Sequence, residues 1–232
     1  MKHQPAQPVS IAVDGGRSVC GLLLVPERAR ACYLLAHGAG AGMAHPFMQA
    51  VADGLAERDV ATLRYQFPYM QEAGRRPDPP RLAQAAVRAA AAEAVRLLPE
   101  LALLAGGKSF GGRMTSQAQA AAPLPRVRGL AFLGFPLHPP RQPSEARARH
   151  LFDVHVPMLF MQGSRDALAD VALMTGVTRR LGPRAMLHLL ADADHSFRAP
   201  ARSGREDADI LRETLDALAA WMISVISPDE QS

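Results

Sequence analysis

A serine flanked by glycines lies near the middle of the chain, in the pentapeptide Gly107-Lys108-Ser109-Phe110-Gly111. The apolar run 101–105 before it predicts a strand, and the helical spacing of 112–122 after it predicts a helix. A serine in a sharp turn between a strand and a helix stands at the N-terminus of that helix, where backbone dipoles favour negative charge. Neighbouring glycines leave room for such a turn. The spacing therefore predicts that Ser109 is a nucleophile.

An acid and an imidazole follow this serine along the chain, in the order that a triad built on a strand–turn–helix serine uses. Asp166 comes shortly after the apolar run 156–161, and His195 lies in the loop after the apolar run 185–190. Both runs predict strands, so both side chains should reach the sheet edge that presents the serine. We expect His195 to accept the proton of Ser109 and Asp166 to orient the imidazole.

Acyl transfer also needs two donors for the oxyanion. One should be the backbone N–H of Phe110, directly after the nucleophile. The other should come from the small-residue loop His37-Gly38-Ala39-Gly40-Ala41-Gly42, with the N–H of Ala39 as first candidate and that of Gly40 as second. His37 itself is expected to hold this loop by a hydrogen bond and not to act in catalysis.

Further side chains are candidates for the substrate pocket: Met43, His45, Phe67, Tyr69, Lys108 and Arg113. Each has an alternative role. Lys108 could attract an anionic substrate group or could bind a neighbouring carboxylate and fix the turn. His45 could be an ordinary residue of a helical first turn, and Phe67 with Tyr69 could plug the top of the core. Asp192 and Asp194 compete with Asp166, but lie too close in sequence to His195 to fit the triad order.

Other chemistries fit less well. Residues 102–109 nearly match a phosphate-binding loop, but Ala102 stands where the first glycine should be, and an apolar strand replaces the loop. His138, His150 and His155 show no metal-ligand spacing, so we expect no metal and no cofactor.

The composition, 48% hydrophobic and 21% charged, is that of an ordinary globular protein. The length of 232 residues suits a single α/β domain over 1–232, with its core at about 10–226. The net charge of +4 comes from scattered arginines, without the clustering expected of a nucleic-acid surface. No apolar N-terminal segment or run of about 18 apolar residues occurs, so we expect a cytoplasmic protein that does not enter a membrane. Cys20 and Cys32 lie in apolar runs and are expected to be buried reduced thiols.

The remaining pattern predicts the elements that position these residues. Apolar runs at 10–13 and 18–25, separated by Asp14-Gly15-Gly16, predict a hairpin. Strands and helices then alternate: strands at 31–36, 60–65, 101–105, 127–133, 156–161 and 185–190, and helices at 44–58, 81–98, 112–122, 171–181 and 206–226. Such alternation predicts a mostly parallel sheet with helices on both faces and an antiparallel edge. Segment 134–155 is too short for a large cap domain, and loops 66–80 and 137–150 should partly cover the site.

Five segments resemble the α/β-hydrolase superfamily of the dienelactone-hydrolase-like kind, and most of all the compact family that includes the hydrolase-like domain of the KANL and testis-expressed proteins. They are HGAGAGMAHPFM at 37–48, RYQFPYM at 64–70, GKSFGGRM ending at Met114, GSRD ending at Asp166, and DADHSF ending at Phe197. The resemblance spans about residues 20–222 and implies a serine nucleophile.

The function expected from these residues is hydrolysis of a small carboxylic ester through an acyl-Ser109 intermediate. The mechanism needs a neutral His195, so activity should fall at acid pH. A thioesterase, amidase or peptidase would use the same residues, and a non-catalytic interaction domain would keep the fold without needing them. The sequence does not identify the substrate or the oligomeric state.

Overall fold

A computed structural model describes residues 5–14 and 16–227, which form one eight-stranded sheet. Its strands are β1 (Gln7–Val13), β2 (Arg17–Leu24), β3 (Ala31–Ala36), β4 (Val60–Tyr65), β5 (Ala102–Lys108), β6 (Val127–Leu133), β7 (Met158–Gly163) and β8 (Ala185–Leu190). The order across the sheet is β1-β2-β4-β3-β5-β6-β7-β8. Strand β2 pairs antiparallel with β1 and β4, and the other neighbours are parallel. The predicted mostly parallel sheet with an antiparallel edge is confirmed.

Helices cover both faces of the sheet, as predicted. They are α1 (Pro46–Ala56), α2 (Pro68–Gln71), α3 (Pro80–Leu97), α4 (Phe110–Ala121), α5 (Val171–Leu181) and α6 (Asp207–Ile226). Helices α1 and α6 pack on one face of the sheet, and α3, α4 and α5 pack on the other. The buried stripe of α3 consists mostly of alanines, which lets that helix approach the sheet closely.

The structure corrects the predicted elements at the start of β1 and within loop 66–80. Strand β1 starts at Gln7, three residues before the predicted run, and the short helix α2 was not predicted within loop 66–80. The hairpin turn is only partly testable, because its Gly15 lies outside the described residues. The expected 1–232 domain likewise extends beyond them at both ends. Cys20 is exposed and only Cys32 is buried, although both are free thiols as expected.

Strand β5 extends further than its apolar run, which ends at Ala105. Gly106 and Gly107 continue the pairing with β3 and β6 as far as Lys108. A Cβ at Gly107 would lie 2.1 Å from the carbonyl oxygen of Ala36 on β3. The glycines that look like a strand end in the sequence are therefore needed where neighbouring backbones approach most closely.

The connection from β6 to β7 carries no large cap. Its regular structure is a 3₁₀ helix at Ala146–Asp153, which packs against α4. Within 5–14 and 16–227, none of the helices has both the length and the apolar character needed to cross a membrane.

Candidate active site

Ser109 occupies the turn between β5 and α4 in a strained conformation, with φ of 50° and ψ of −113°. Its N–H donates to the carbonyl oxygen of Leu133 on β6, which ties the turn to the sheet (3.1 Å). A Cβ at Gly111 would lie 2.5 Å from the carbonyl oxygen of His37. A positive φ at a non-glycine residue persists only where the surroundings impose it, and here strand, helix and close backbone contact all do so.

The structure brings together the three residues that the sequence singled out as a triad. His195 Nε2 lies 2.9 Å from Ser109 Oγ, and His195 Nδ1 lies 2.7 Å from Asp166 Oδ2. An ionised carboxylate only accepts hydrogen bonds, so the ring proton belongs on Nδ1. His195 Nε2 is then free to accept the hydroxyl proton of Ser109. The arrangement can therefore move a proton away from the serine.

Asp166 is fixed in a buried position just beyond β7. Its carboxylate accepts hydrogen bonds from the Gln162 side-chain amide and from the N–H of Leu168 (2.7 Å). Its side chain has no exposed surface. Gln162, which the sequence analysis did not single out, thus orients the acid from within the strand. The signal available was its polarity in an otherwise apolar strand.

Asp194 has a different role from Asp166. Its Oδ1 accepts hydrogen bonds from the N–H groups of Ser196 (2.7 Å) and Arg198 (3.0 Å). These contacts fold the loop that presents His195. Asp194 therefore shapes the loop, and the carboxylate that contacts the imidazole is Asp166.

The hydrogen-bond partner of Lys108 among the described residues is a backbone carbonyl and not the neighbouring carboxylate that the sequence suggested. Its ammonium donates to the backbone carbonyl of His195 and lies 5.0 Å from the ring centre of Phe197. Burial lowers the pKa of Lys108 to about 8, against the opposing pull of the Asp166 and Asp194 carboxylates. The side chain ties the strand before the nucleophile to the loop of the base.

Gly134 is a second residue that the sequence analysis missed. It follows β6 with a φ of +70°, and a Cβ there would lie 2.9 Å from Lys108 Nζ and 3.4 Å from His195 Nδ1. A methyl group there would therefore press on the lysine ammonium and touch the imidazole. A glycine directly after a buried strand was the available signal.

The N–H groups predicted to bind the oxyanion belong to Phe110, directly after Ser109, and to a loop that passes close to Ser109 at Gly38. Phe110 is the first residue of α4, so its N–H has no acceptor within the helix. The loop from 37 approaches from β3, and a Cβ at Gly38 would lie 3.8 Å from Ser109 Cβ. The Gly40 N–H points to the Tyr69 hydroxyl (3.4 Å), so the second candidate donor is already engaged. Ala39 is exposed, and no acceptor for its N–H occurs in the described part of the chain.

His37 holds this loop, as the sequence analysis expected. Its Nε2 accepts from the N–H of Phe67 (3.0 Å), which leaves the proton on Nδ1 to donate to the carbonyl of Gly38 (2.8 Å). Burial lowers the pKa of His37 to about 4, so the ring is neutral at physiological pH. A single neutral tautomer thus fixes the start of the loop.

The residues predicted to line the substrate pocket occupy different kinds of position. Phe67 is fully buried between the rings of His37 and Phe110, which favours the alternative in which it plugs the core. His45 caps α1, accepting from the N–H of Phe47 (3.2 Å).

Three further candidates are only partly accessible. Met43 is half-buried, Tyr69 is nearly buried, and Arg113 is half-buried. The Nε of Arg113 has no hydrogen-bond partner among the described residues. Burial lowers the pKa of Arg113, and the nearby Arg147 adds to that effect.

No group of three or more metal-ligating side chains occurs within the described ranges. The architecture is an open, mostly parallel sheet whose central strand leads through a strained serine into a helix, which is the α/β-hydrolase fold. A model of the alpha/beta hydrolase domain matches residues 29–223, and the chain belongs to this α/β-hydrolase family.

Solved structures share the fold along nearly the whole chain. A dienelactone hydrolase from Anabaena variabilis is 23% identical, with a TM-score of 0.77 over 96% of this chain and 99% of the other. An α/β serine hydrolase without a lid from Xanthomonas campestris is 19% identical, with a TM-score of 0.72 over 95% and 97%. The esterase domain of a Rhodothermus marinus protein is 16% identical, with a TM-score of 0.71 over 94% and 98%.

Proposed function

We propose that this α/β hydrolase is a serine esterase that cleaves small carboxylic esters. The observation that carries the proposal is the continuous hydrogen-bonded series from Asp166 through His195 to Ser109. A buried carboxylate, an imidazole in one tautomer and a strained serine at a helix N-terminus are the parts that acyl transfer needs.

The reaction follows from these positions. Ser109 Oγ attacks the ester carbonyl carbon while His195 Nε2 takes the hydroxyl proton. The N–H groups of Phe110 and Ala39 stabilise the oxyanion, and Asp166 stabilises the imidazolium. His195 then returns the proton to the leaving alkoxide, and the alcohol departs. His195 then deprotonates a water molecule, which attacks the acyl-Ser109 carbonyl carbon. The bond between that carbon and Ser109 Oγ breaks, His195 returns the proton to Oγ, and the carboxylic acid departs.

Two observations favour a small ester. The connection between β6 and β7 is short, so no large cap encloses a long chain over Ser109. Solved structures with this fold include proteins described as an esterase domain and as a serine hydrolase without a lid. We further infer from motifs 37–48 and 64–70 that the chain is dienelactone-hydrolase-like and nearest to the compact KANL and testis-expressed group.

The test is turnover of p-nitrophenyl esters of increasing acyl length, beside a thioester and an anilide of the best acyl group. We expect a burst of nitrophenol equal to the enzyme concentration, with the ester cleaved faster than the anilide. Ser109→Ala should abolish the burst. A thioester preference would replace esterase by thioesterase.

Ser116 supplies a matched control, because it also contacts a histidine. Its hydroxyl lies 2.8 Å from His150 Nε2, but the side chain is buried and also donates to the carbonyl of Arg113. No carboxylate bonds to His150 in the described part of the chain. Ser116→Ala should therefore keep the burst, and a burst lost there but kept in Ser109→Ala would refute the assignment.

A further inference from the structure

The loop that carries Ala39 comprises residues 37–45, between β3 and α1. It is held to the end of β4 through both backbone polar groups of Met43. The N–H of Met43 donates to Gln66 Oε1 (3.1 Å), and its carbonyl accepts from Arg64 Nη1 (3.0 Å). Arg64 lies on β4, and Gln66 follows the strand directly. Two neighbouring side chains therefore fix one residue of the loop from both sides.

The same segment of the chain holds the loop at two earlier points. The N–H of Phe67 binds His37, which in turn binds the carbonyl of Gly38, and the hydroxyl of Tyr69 accepts from Gly40. Residues 64–69 thus contact the loop near its start, its middle and its end.

Segment 64–69 is itself anchored in the sheet. Arg64 pairs with Leu22 on one side and Leu35 on the other, in the register of β2 and β3. The N–H of Gln66 donates to the carbonyl of Cys20 (2.9 Å). Segment 64–69 therefore fixes the position of the loop relative to the central sheet.

The loop needs such ties because of its composition. Gly38, Gly40 and Gly42 alternate along it, and glycine leaves the backbone free to take many conformations. A Cβ at Gly42 would lie 2.8 Å from Gln66 Oε1 and 2.9 Å from Nε2. The amide of Gln66 thus packs directly on the loop backbone, and moving one moves the other.

Burial of Arg64 lowers the stability of the folded protein. Its side chain is fully buried, and its Nε and Nη2 have no hydrogen-bond partner among the described residues. Burial lowers the pKa of this guanidinium. A buried charge with unsatisfied donors costs stability, and proteins keep such features mainly where function requires them.

We propose that Gln66 and Arg64 are positioning residues, which act through Met43 to hold the Ala39 N–H where the oxyanion forms. The inference rests on the proposed ester hydrolysis. It assigns a role to the end of β4, which contributes no residue to the triad. A small displacement of an oxyanion donor costs rate and not ground-state binding, because the donor acts mainly in the transition state.

The test compares Gln66→Leu with a glutamine variant elsewhere in the fold. The matched control is Gln119→Leu, because Gln119 Oε1 also accepts from a backbone N–H, that of Leu124 (2.8 Å), at the far end of α4 from the loop. We expect Gln66→Leu to lower kcat by about 10- to 100-fold with little change in KM. Gln119→Leu should retain the wild-type kcat, and Gln66→Glu, which keeps the accepting oxygen, should recover most of it.

Amide hydrogen exchange of the peptide spanning 37–48 gives a readout that does not depend on turnover. Exchange should accelerate in Gln66→Leu and in Arg64→Met, and not in Gln119→Leu. Unchanged exchange in both Gln66→Leu and Arg64→Met would overturn the proposed positioning. Faster exchange with an unchanged kcat would overturn its link to catalysis. A wild-type protein without ester turnover would instead refute the proposed function, and the exchange data would still decide whether these residues hold the loop.

Discussion

At the scale of single residues, the carboxylate of Asp166 determines which nitrogen of His195 carries the proton. It accepts from Nδ1 at 2.7 Å, while Gln162 and Leu168 occupy its other hydrogen-bonding positions. A neutral amide at position 166 could instead donate to Nδ1 and leave the proton on Nε2, the nitrogen that must accept from Ser109.

We therefore predict that Asp166→Asn lowers kcat by about 10⁴-fold, the loss measured for the equivalent change in a serine protease. Steady-state kinetics on the best ester provides the measurement, and thermal unfolding shows whether the variant is folded. A folded variant with near wild-type kcat would show that Asp166 does not orient the base.

Gly134 supplies a second residue-scale prediction. Gly134→Ala would place a methyl group 2.9 Å from Lys108 Nζ, at a φ of +70°. Gly204 has almost the same φ, +71°, with open space around it, so Gly204→Ala carries the strain without the contact. Both variants should lose about 1 kcal/mol of stability or more. Only Gly134→Ala should lose kcat, and equal activity in the two variants would contradict a role beside His195.

At the scale of elements, β5 shows how the fold positions the nucleophile. The strand runs through Gly106 and Gly107 to Lys108, and its neighbours leave no room for a Cβ at either glycine. Because β5 pairs closely with β3 and β6 up to its end, the turn that holds Ser109 is fixed relative to the sheet.

We predict that Gly107→Ala strongly destabilises the protein, because its Cβ would lie 2.1 Å from a backbone oxygen of β3. Chemical denaturation should show a loss larger than that of Gly204→Ala. Equal losses in the two variants would mean that β5 does not need this close approach.

The sequence predicted most of these elements because their patterns are local. Continuous apolar runs marked β3, β4 and β6 to the residue, and helical spacing marked α5 equally well. The end of β5 was missed because paired glycines are common in turns, and whether they continue a strand depends on the adjacent strands. Helix α2 lies in a proline-rich segment and is too short to show a period.

Much of the candidate site was likewise predictable. Ser109, Asp166 and His195 follow strand ends in a fixed order, so their meeting could be anticipated from the chain alone. Gln162, Gly134 and Gln66 could not be assigned, because their roles depend on which backbones are neighbours in space. Strand β4 lies between β2 and β3, and only that order brings Gln66 against the loop from 37.

At the scale of the whole molecule, the buried His37 and the half-buried His150 connect stability to pH. Burial lowers the pKa of His37 to about 4, and burial together with the charge of Arg113 lowers that of His150 to about 4. In the unfolded chain both rings take up protons near pH 6.5. Between about pH 6.5 and 4 the unfolded state therefore binds up to two more protons, and stability falls as the pH falls.

We predict a free energy of unfolding that drops by about 1.4 kcal/mol per pH unit for each proton taken up in this window. Urea unfolding at pH 7 and pH 5 provides the measurement. His150→Gln removes one of the two rings, so its pH dependence should be smaller by about one proton. A wild-type stability that is flat across this window would contradict the burial of neutral imidazoles.

At the same scale, the β6–β7 connection adds no large cap over the carboxyl edge of the sheet, where Ser109 is half-buried. A reagent that reacts only with activated serines therefore tests whether His195 activates Ser109. The most direct measurement is labelling with a fluorophosphonate probe, with the modified residue mapped by mass spectrometry, on wild type, Ser109→Ala, His195→Ala and Ser116→Ala. We expect stoichiometric modification of Ser109 in wild type and Ser116→Ala, and none in the other two variants. A folded wild-type protein that stays unlabelled, or label on another residue, would contradict the activation of Ser109 by His195.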